Sequence, residues 1–147
     1  MTANPKEQQI QLAATDETYR KLLDLAREAS KKSYCPYSEF PVGSAVLSKD
    51  GSIFSGCNVE NASYGGTICA ERTVLVKAIS EGCREFAAMA VFCEKAHYAW
   101  PCGACRQFIS EFGADIEIIT EAADGALQIL KISELLPHMF GPSDLKR

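Results

Sequence analysis

No stretch of this chain approaches the roughly 20 consecutive apolar residues of a membrane-spanning helix, although 47% of its 147 residues are hydrophobic. Met1 to Leu12 is polar and lacks the apolar core of a secretory signal. A cytoplasmic location and no membrane partner are therefore expected. Positive charge is also in deficit: 15 Lys and Arg face 19 Asp and Glu, a net charge of −4, with a pI of about 5.2. The basic residues are scattered, with short clusters at Lys31-Lys32 and Lys146-Arg147. A nucleic-acid-binding protein normally carries a basic face, so no nucleic-acid partner is expected. Histidine is scarce; neither His97 nor His138 has ligand spacing to another candidate, and both read as surface residues. Repeats, low-complexity stretches and internal linkers are lacking too. Residues 1–14 read as a flexible N-terminal arm, and 15–147 as a single domain large enough for a real core.

Cysteine is plentiful instead. Seven residues, an odd number, in a chain without a secretory signal argue for thiols and metal ligands over disulfides. Cys35, Cys57, Cys83 and Cys93 are most simply small buried hydrophobes. The other three stand in two motifs, Cys69-Ala70-Glu71 and Pro101-Cys102-Gly103-Ala104-Cys105.

Hydrophobic periodicity places these motifs. Thr15 or Asp16 can cap a helix running to about Lys32, with Tyr19, Leu22, Leu23, Ala26 and Ala29 as its apolar face. Pro36 ends it. Val42–Leu47 and Ile53–Cys57 read as strands joined by an Asp50-Gly51 hairpin turn. Asn58–Thr67 reads as a loop. A helix from about Cys69 to Glu81 stops at Gly82 and buries Val74, Leu75, Ala78 and Ile79. Phe86–Cys93 has the near-continuous apolar character of a central strand. Cys102 opens a further helix that ends at Phe112-Gly113. Strands over Ile116–Thr120 and Leu127–Ile132 follow. Ser133 can cap a short helix through Leu136, with Pro137 and Gly141-Pro142 preventing its continuation. The order predicts an α/β fold, a three-layer α/β/α sandwich around a mixed five-stranded sheet.

Cys102 and Cys105 are three residues apart in a first helical turn, so their sulfurs share a face. Both motifs sit where helix N–H groups are unpaired and the dipole is positive, which favours thiolates. Structural zinc usually takes four protein ligands, and catalytic zinc takes three with an open position for water. Three cysteines with a nearby carboxylate fit the second pattern, one Zn²⁺ per chain. Glu71 can be a general base beside the metal or a fourth ligand; the first reading is preferred. Arg72 can hydrogen-bond the thiolates and withdraw charge from them. A redox pair is the alternative for C-x-x-C, weakened by the third cysteine and by Pro101.

Together, C-A-E-R-T at Cys69–Thr73 and P-C-G-A-C-R-Q at Pro101–Gln107 resemble the small, homotetrameric cytidine deaminases. So do S-Y-C-P-Y-S at Ser33–Ser38, F-P-V-G at Phe40–Gly43, G-C-N-V-E-N-A at Gly56–Ala62 and F-G-P at Phe140–Pro142. The resemblance runs from about Asp16 to Leu145. It implies a cytidine deaminase-like fold with zinc on Cys69, Cys102 and Cys105, and hydrolytic attack at C4 of cytosine. It implies that Glu71 takes the water proton, delivers it to ring N3 and later protonates the departing amino group. The Ala70 backbone would read the base edge and Phe40 would pack near it. Asn58 and Glu60 would bind the ribose hydroxyls. Ala62 and Tyr64 would reach the 5′ end of a neighbouring subunit's ligand, and Phe140 its pyrimidine ring, so active sites are shared in a homotetramer. Glu39, Tyr64–Thr67, Trp100 and the segment Phe92–Trp100 depart from the family pattern.

The carboxylate of Glu60 accepts hydrogen bonds from hydroxyls and repels phosphate, which favours a free nucleoside. The expected function is deamination of cytidine and deoxycytidine to uridine and deoxyuridine with release of ammonia, in pyrimidine salvage. Competing readings are a deaminase of another cytosine nucleoside such as blasticidin S, a nucleic-acid editing deaminase, and a non-catalytic zinc module.

Overall fold

The computed structural model describes residues 16–146. The expected arm, residues 1–14, and the candidate cap Thr15 lie outside the described residues. Helix α1 (Asp16–Ser30) carries Asp16 and Glu17 in its first turn, where negative charge suits the helix dipole. The apolar spacing does what it predicts: Tyr19, Leu22, Leu23, Ala26 and Ala29 are buried. The helix stops short of Lys32, and its end tightens into i→i+3 bonds from Lys31 N–H to Glu28 and Lys32 N–H to Ala29.

Strands β1 (Gly43–Ser48) and β2 (Ile53–Cys57) form the expected hairpin. Gly51 supplies the positive φ, 93°, that its turn requires. After β2 come a 3₁₀ turn (Tyr64–Gly66), helix α2 (Ala70–Ser80) and strand β3 (Phe86–Phe92). Helix α3 (Gly103–Ser110) and strands β4 (Glu117–Glu121) and β5 (Leu127–Lys131) follow. The sheet order is β2-β1-β3-β4-β5. Only β3 and β4 are parallel, with Met89 beside Ile118 and Ala90 beside Ile119. The other pairs are antiparallel, so the sheet is mixed as predicted.

Each face of the sheet has its own core. On one, α1 lays Leu22, Leu23 and Ala26 on Ala45, Leu47, Ala88, Ala90 and Ile119. On the other, Val74, Leu75 and Ala78 of α2 and Ile109 of α3 pack on Val46, Met89, Val91 and Ile118. β1 is buried along all six residues because both faces are covered. Its first residue has to be glycine: a Cβ on Gly43 would stand 1.8 Å from the Ala26 carbonyl oxygen. That close approach seats α1 against the strand that leads out of Phe40 and Val42.

At the C-terminus one expectation needs correction and one element is additional. The short helix α4 spans Ile132–Leu135 and is capped two residues earlier than Ser133. Lys131 is the cap residue, its N–H held at 2.8 Å by the Glu134 carboxylate, and Ser133 N–H goes instead to the Ala114 carbonyl. Gly141-Pro142 starts a further helix, α5 (Pro142–Leu145), with Pro142 in its first turn. Proline lacks an N–H and is tolerated there, where the donor would be unpaired anyway.

Candidate active site

Both cysteine motifs lie where the chain turns into a helix. Cys69 is the N-cap of α2 and Cys102 the N-cap of α3, and neither side chain caps its own helix. The sulfurs are thus left to face one another. Cys105 lies in the first turn of α3 and is buried. Because α2 and α3 pack side by side, the Sγ atoms of Cys69, Cys102 and Cys105 all come within 4.8 Å of one another. Cys69 and Cys102 are 3.8 Å apart. Sulfurs at two corners of a tetrahedron with metal–sulfur bonds of about 2.3 Å stand ~3.8 Å apart, so the donor set fits zinc. This is the single such cluster among the described residues. All seven cysteines are free thiols, as expected for this chain.

Glu71 sits one residue into α2 with 4% of its surface exposed. It is not part of the cluster of mutually close ligand atoms. Its Oε2 accepts from the Cys105 thiol at 3.6 Å. Burial pushes its carboxyl above the ordinary range, and the neighbouring Cys69 charge adds to that. Arg72 donates from its guanidinium to Cys69 Sγ at 3.4 Å. Its Nε is buried without a hydrogen-bond partner among the described residues. The Cys69 thiol is shifted down. A hydrogen bond from Cys105 and, after the opposing effect of burial, another from Arg72 bring its pKa down to about 5. The interaction with Cys69 and burial push the Cys105 thiol up.

Of these groups, Cys69, Glu71 and Cys102 line a cavity of about 360 Å³. Phe40, Val42, Val91, Ala99 and Trp100 form apolar walls, Cys69, Ala70, Glu71 and Cys102 the end that carries the metal donors, and Ser38, Asn58, Glu60 and Thr67 the polar lining. Asn58 is buried with its hydrogen bonds committed: Oδ1 accepts from the Ser33 hydroxyl and the Val42 N–H, and Nδ2 donates to the Phe40 carbonyl at 2.9 Å. Glu60 accepts from the Tyr37 and Ser38 N–H groups at 3.0 and 3.1 Å and from the Ser38 hydroxyl. The Ser38 contacts and the Tyr37 amide hold the carboxyl of Glu60 below its usual range.

One cavity therefore gathers Phe40, Asn58, Glu60, Ala70 and Glu71 around two of the three predicted ligands. Ala62, Tyr64 and Phe140 do not line it. Ala62 is exposed. Tyr64 borders an adjoining cavity with Tyr37, their ring centroids 5.6 Å apart. Phe140 is 59% exposed, while its carbonyl accepts from Gln107 Nε2 of α3 at 2.9 Å. The sequence reading missed Ser38, Thr67 and Trp100 as lining residues. Ser38 had a local signal, a hydroxyl closing a motif next to Phe40; Trp100 had one in its position directly before the ligand-bearing Pro-Cys.

A three-layer fold that sets three thiols and a buried carboxylate at the end of an apolar slot defines a zinc-dependent hydrolase. Comparison with known proteins narrows the class. Residues 16–121 match the model of the cytidine and deoxycytidylate deaminase zinc-binding region. A cytidine deaminase from Sporosarcina psychrophila is 43% identical over 126 residues, 85% of this chain and 93% of that protein. One from Halalkalibacterium halodurans is 47% identical over 125 residues, 84% and 95% of the two chains. The crystal structure of cytidine deaminase from Burkholderia pseudomallei superposes with a TM-score of 0.79 at 44% identity, covering 82% of this chain and 98% of that one. The chain belongs to the cytidine and deoxycytidylate deaminase family, and it is a hydrolytic enzyme that uses zinc.

Proposed function

We propose that the chain deaminates cytidine and deoxycytidine to uridine and deoxyuridine, releasing one ammonia for each water consumed. The observation that carries this reading is the polarity of the cavity, with metal donors and a buried carboxylate at one end and hydroxyl-binding groups at the other. Cys69, Cys102 and Cys105 would hold the zinc, which when bound supplies the Lewis acidity that makes a water acidic near neutral pH. Glu71 takes the proton from the attacking water and delivers it to ring N3. It then takes the proton of the hydroxyl newly bonded to C4 and passes it to the exocyclic nitrogen, which leaves as ammonia as the C4 carbonyl forms. A carboxyl whose pKa is raised by burial suits a group that must both accept and return a proton. Arg72, donating to Cys69, draws charge from the sulfurs. Phe40 packs on the base and the Ala70 backbone reads its edge.

Hydrogen-bond capacity in the polar lining supports acceptance of both sugars. An ionised carboxylate has about four acceptor positions, and Glu60 already uses three. Asn58 retains one amide hydrogen beyond its bond to Phe40. One sugar hydroxyl can donate to the first and accept from the second, so loss of the 2′-hydroxyl is tolerated. Exposed Ala62, Tyr64 and Phe140 fit a homotetramer in which each reaches a neighbour's site. Exposed Tyr34, Tyr37, Val59 and Ile68 add to the apolar surface available for such an interface. A cytoplasmic role in pyrimidine salvage agrees with seven free thiols. Among the described residues, no helix is long and apolar enough to cross a membrane.

The test is turnover of cytidine and deoxycytidine, followed by loss of cytosine absorbance, with and without a chelator. Turnover of both that the chelator abolishes is the expected result. No turnover by zinc-loaded protein would refute the reading and favour a non-catalytic zinc module.

A further inference from the structure

Between β3 and α3 the chain runs along the same rim of the cavity as the loop carrying Phe40. Its course is fixed at both ends: Ala96 N–H donates to the Cys93 carbonyl at 3.1 Å and Ala99 N–H to the Thr120 hydroxyl at 2.8 Å. Between them, Lys95 reaches out and donates from Nζ to the backbone carbonyl of Glu39. Glu39 has φ 53°, in the left-handed region that a residue with a side chain seldom occupies. Such a conformation persists where its surroundings hold it.

The Glu39 carbonyl and the Phe40 N–H belong to one peptide group. Lys95 holds its oxygen, and Ser38 Oγ accepts from its N–H at 3.1 Å. A planar unit gripped at both poles has a set orientation, and that orientation directs the Phe40 side chain. Five residues beyond Lys95, Trp100 lines the same cavity as Phe40. Lys95 therefore ties together the two segments that supply the aromatic walls.

We propose that Lys95 is a positioning residue which, through the Glu39–Phe40 peptide, sets the spacing of Phe40 and the Trp100 segment and thereby the affinity for the pyrimidine base. The proposal rests on the reading of this cavity as a nucleoside site. An exposed ammonium–carbonyl contact contributes little to folding. Its effect belongs in ground-state binding, where ring-on-ring packing depends on placement.

The chain's only tryptophan is Trp100, so its emission reports on this rim directly. Zinc-loaded wild type, Lys95→Ala and Lys95→Arg are compared in cytidine turnover, uridine titration and acrylamide quenching of Trp100. Lys95→Ala is expected to raise KM for cytidine about 3- to 10-fold with kcat within about twofold, the pattern of lost uniform binding. Uridine affinity falls in parallel, Trp100 becomes more accessible to quencher, and Lys95→Arg restores wild-type values. Lys95→Met, which keeps the aliphatic stem, repeats the measurement if the alanine variant folds poorly. Wild-type KM and emission in Lys95→Ala, or failure of arginine to rescue, would overturn the proposal. Wild-type protein that neither turns over cytidine nor binds uridine would overturn the nucleoside reading instead, and the quenching comparison would still test the Lys95 tie.

Discussion

The two ends of the substrate cavity are built on different principles. The metal end is made from two helix starts, and part of it is packed into the core: Glu71 is 4% exposed and Cys105 is fully buried, while Cys69 is half-buried and Cys102 exposed. The end proposed to take the sugar is made from loops, and its groups are held by hydrogen bonds: Glu60 by Tyr37 and Ser38, Asn58 by Phe40 and Val42. The donors of the first come together within one chain. At the second, Phe40 stays 40% exposed, and Tyr64 and Phe140 stand outside the cavity. Chemistry that shifts pKa values needs a low-dielectric, rigid setting, whereas recognition of an entering sugar needs an accessible opening.

If the metal end is indivisible, the largest effects belong there. Cys102→Ala should lose zinc and activity together, as should chelation of the wild type. Metal analysis showing full zinc in that variant would remove Cys102 from the ligand set. Glu71→Gln should keep zinc and assembly and lose about 10²- to 10⁴-fold in kcat, the usual contribution of a general acid–base. Should zinc leave with that substitution, Glu71 is a ligand and the two ends no longer differ in the way described.

The sugar end should show smaller losses, expressed in KM. Glu60→Gln replaces an ionised acceptor by a neutral one, and hydrogen bonds to charged groups are worth about 1.5–3 kcal/mol. A drop in kcat/KM of roughly 10- to 100-fold is expected, carried by KM. A loss carried by kcat would place Glu60 in the chemistry. The proposal that a neighbouring chain completes this end can be tested by mixing. Glu71→Gln chains lack the base and keep Phe140; Phe140→Ala chains keep the base and lack the ring. Unfolded and refolded together, they should form some sites with both groups intact and exceed the average activity of the two parents. Activity at that average, with mixed assemblies demonstrated, would mean that Phe140 serves its own chain or no site.

The smallest effect expected is a displacement along the pH axis. Arg72 is the cation on Cys69. Without it the thiolates donate more charge to the metal, the water becomes less acidic, and the rising limb of the pH–rate profile moves to higher pH. Arg72→Gln at full zinc occupancy with an unmoved profile would exclude this role.

Much of the first end was legible along the chain. Tyr19, Leu22, Leu23, Ala26 and Ala29 marked the buried face of α1, and Cys102 with Cys105 marked a shared helical face. Less of the second was. Ser38 joins Glu60 and Phe40 through a loop contact spanning 22 residues, which no periodicity encodes. The Lys95–Glu39 tie spans 56 residues and ends on a backbone carbonyl, which has no residue identity to read. At the C-terminus, Ser133 carried the right chemistry for a cap, yet its N–H was taken by Ala114, so tertiary packing overrode a local preference.

What the amino-acid sequence determined alone is what depends on near neighbours: helix faces, the hairpin at Asp50-Gly51, the thiols three apart, and the acid beside Cys69. The tertiary structure decided which of these meet. Cys69 joins Cys102 across 33 residues because α2 and α3 bury their apolar sides on the same face of one sheet. Their N-terminal ends, with unpaired N–H groups and positive dipoles, then open toward the same cavity. Local spacing follows from helix and strand geometry, while the distance between elements follows from how their apolar surfaces are removed from water.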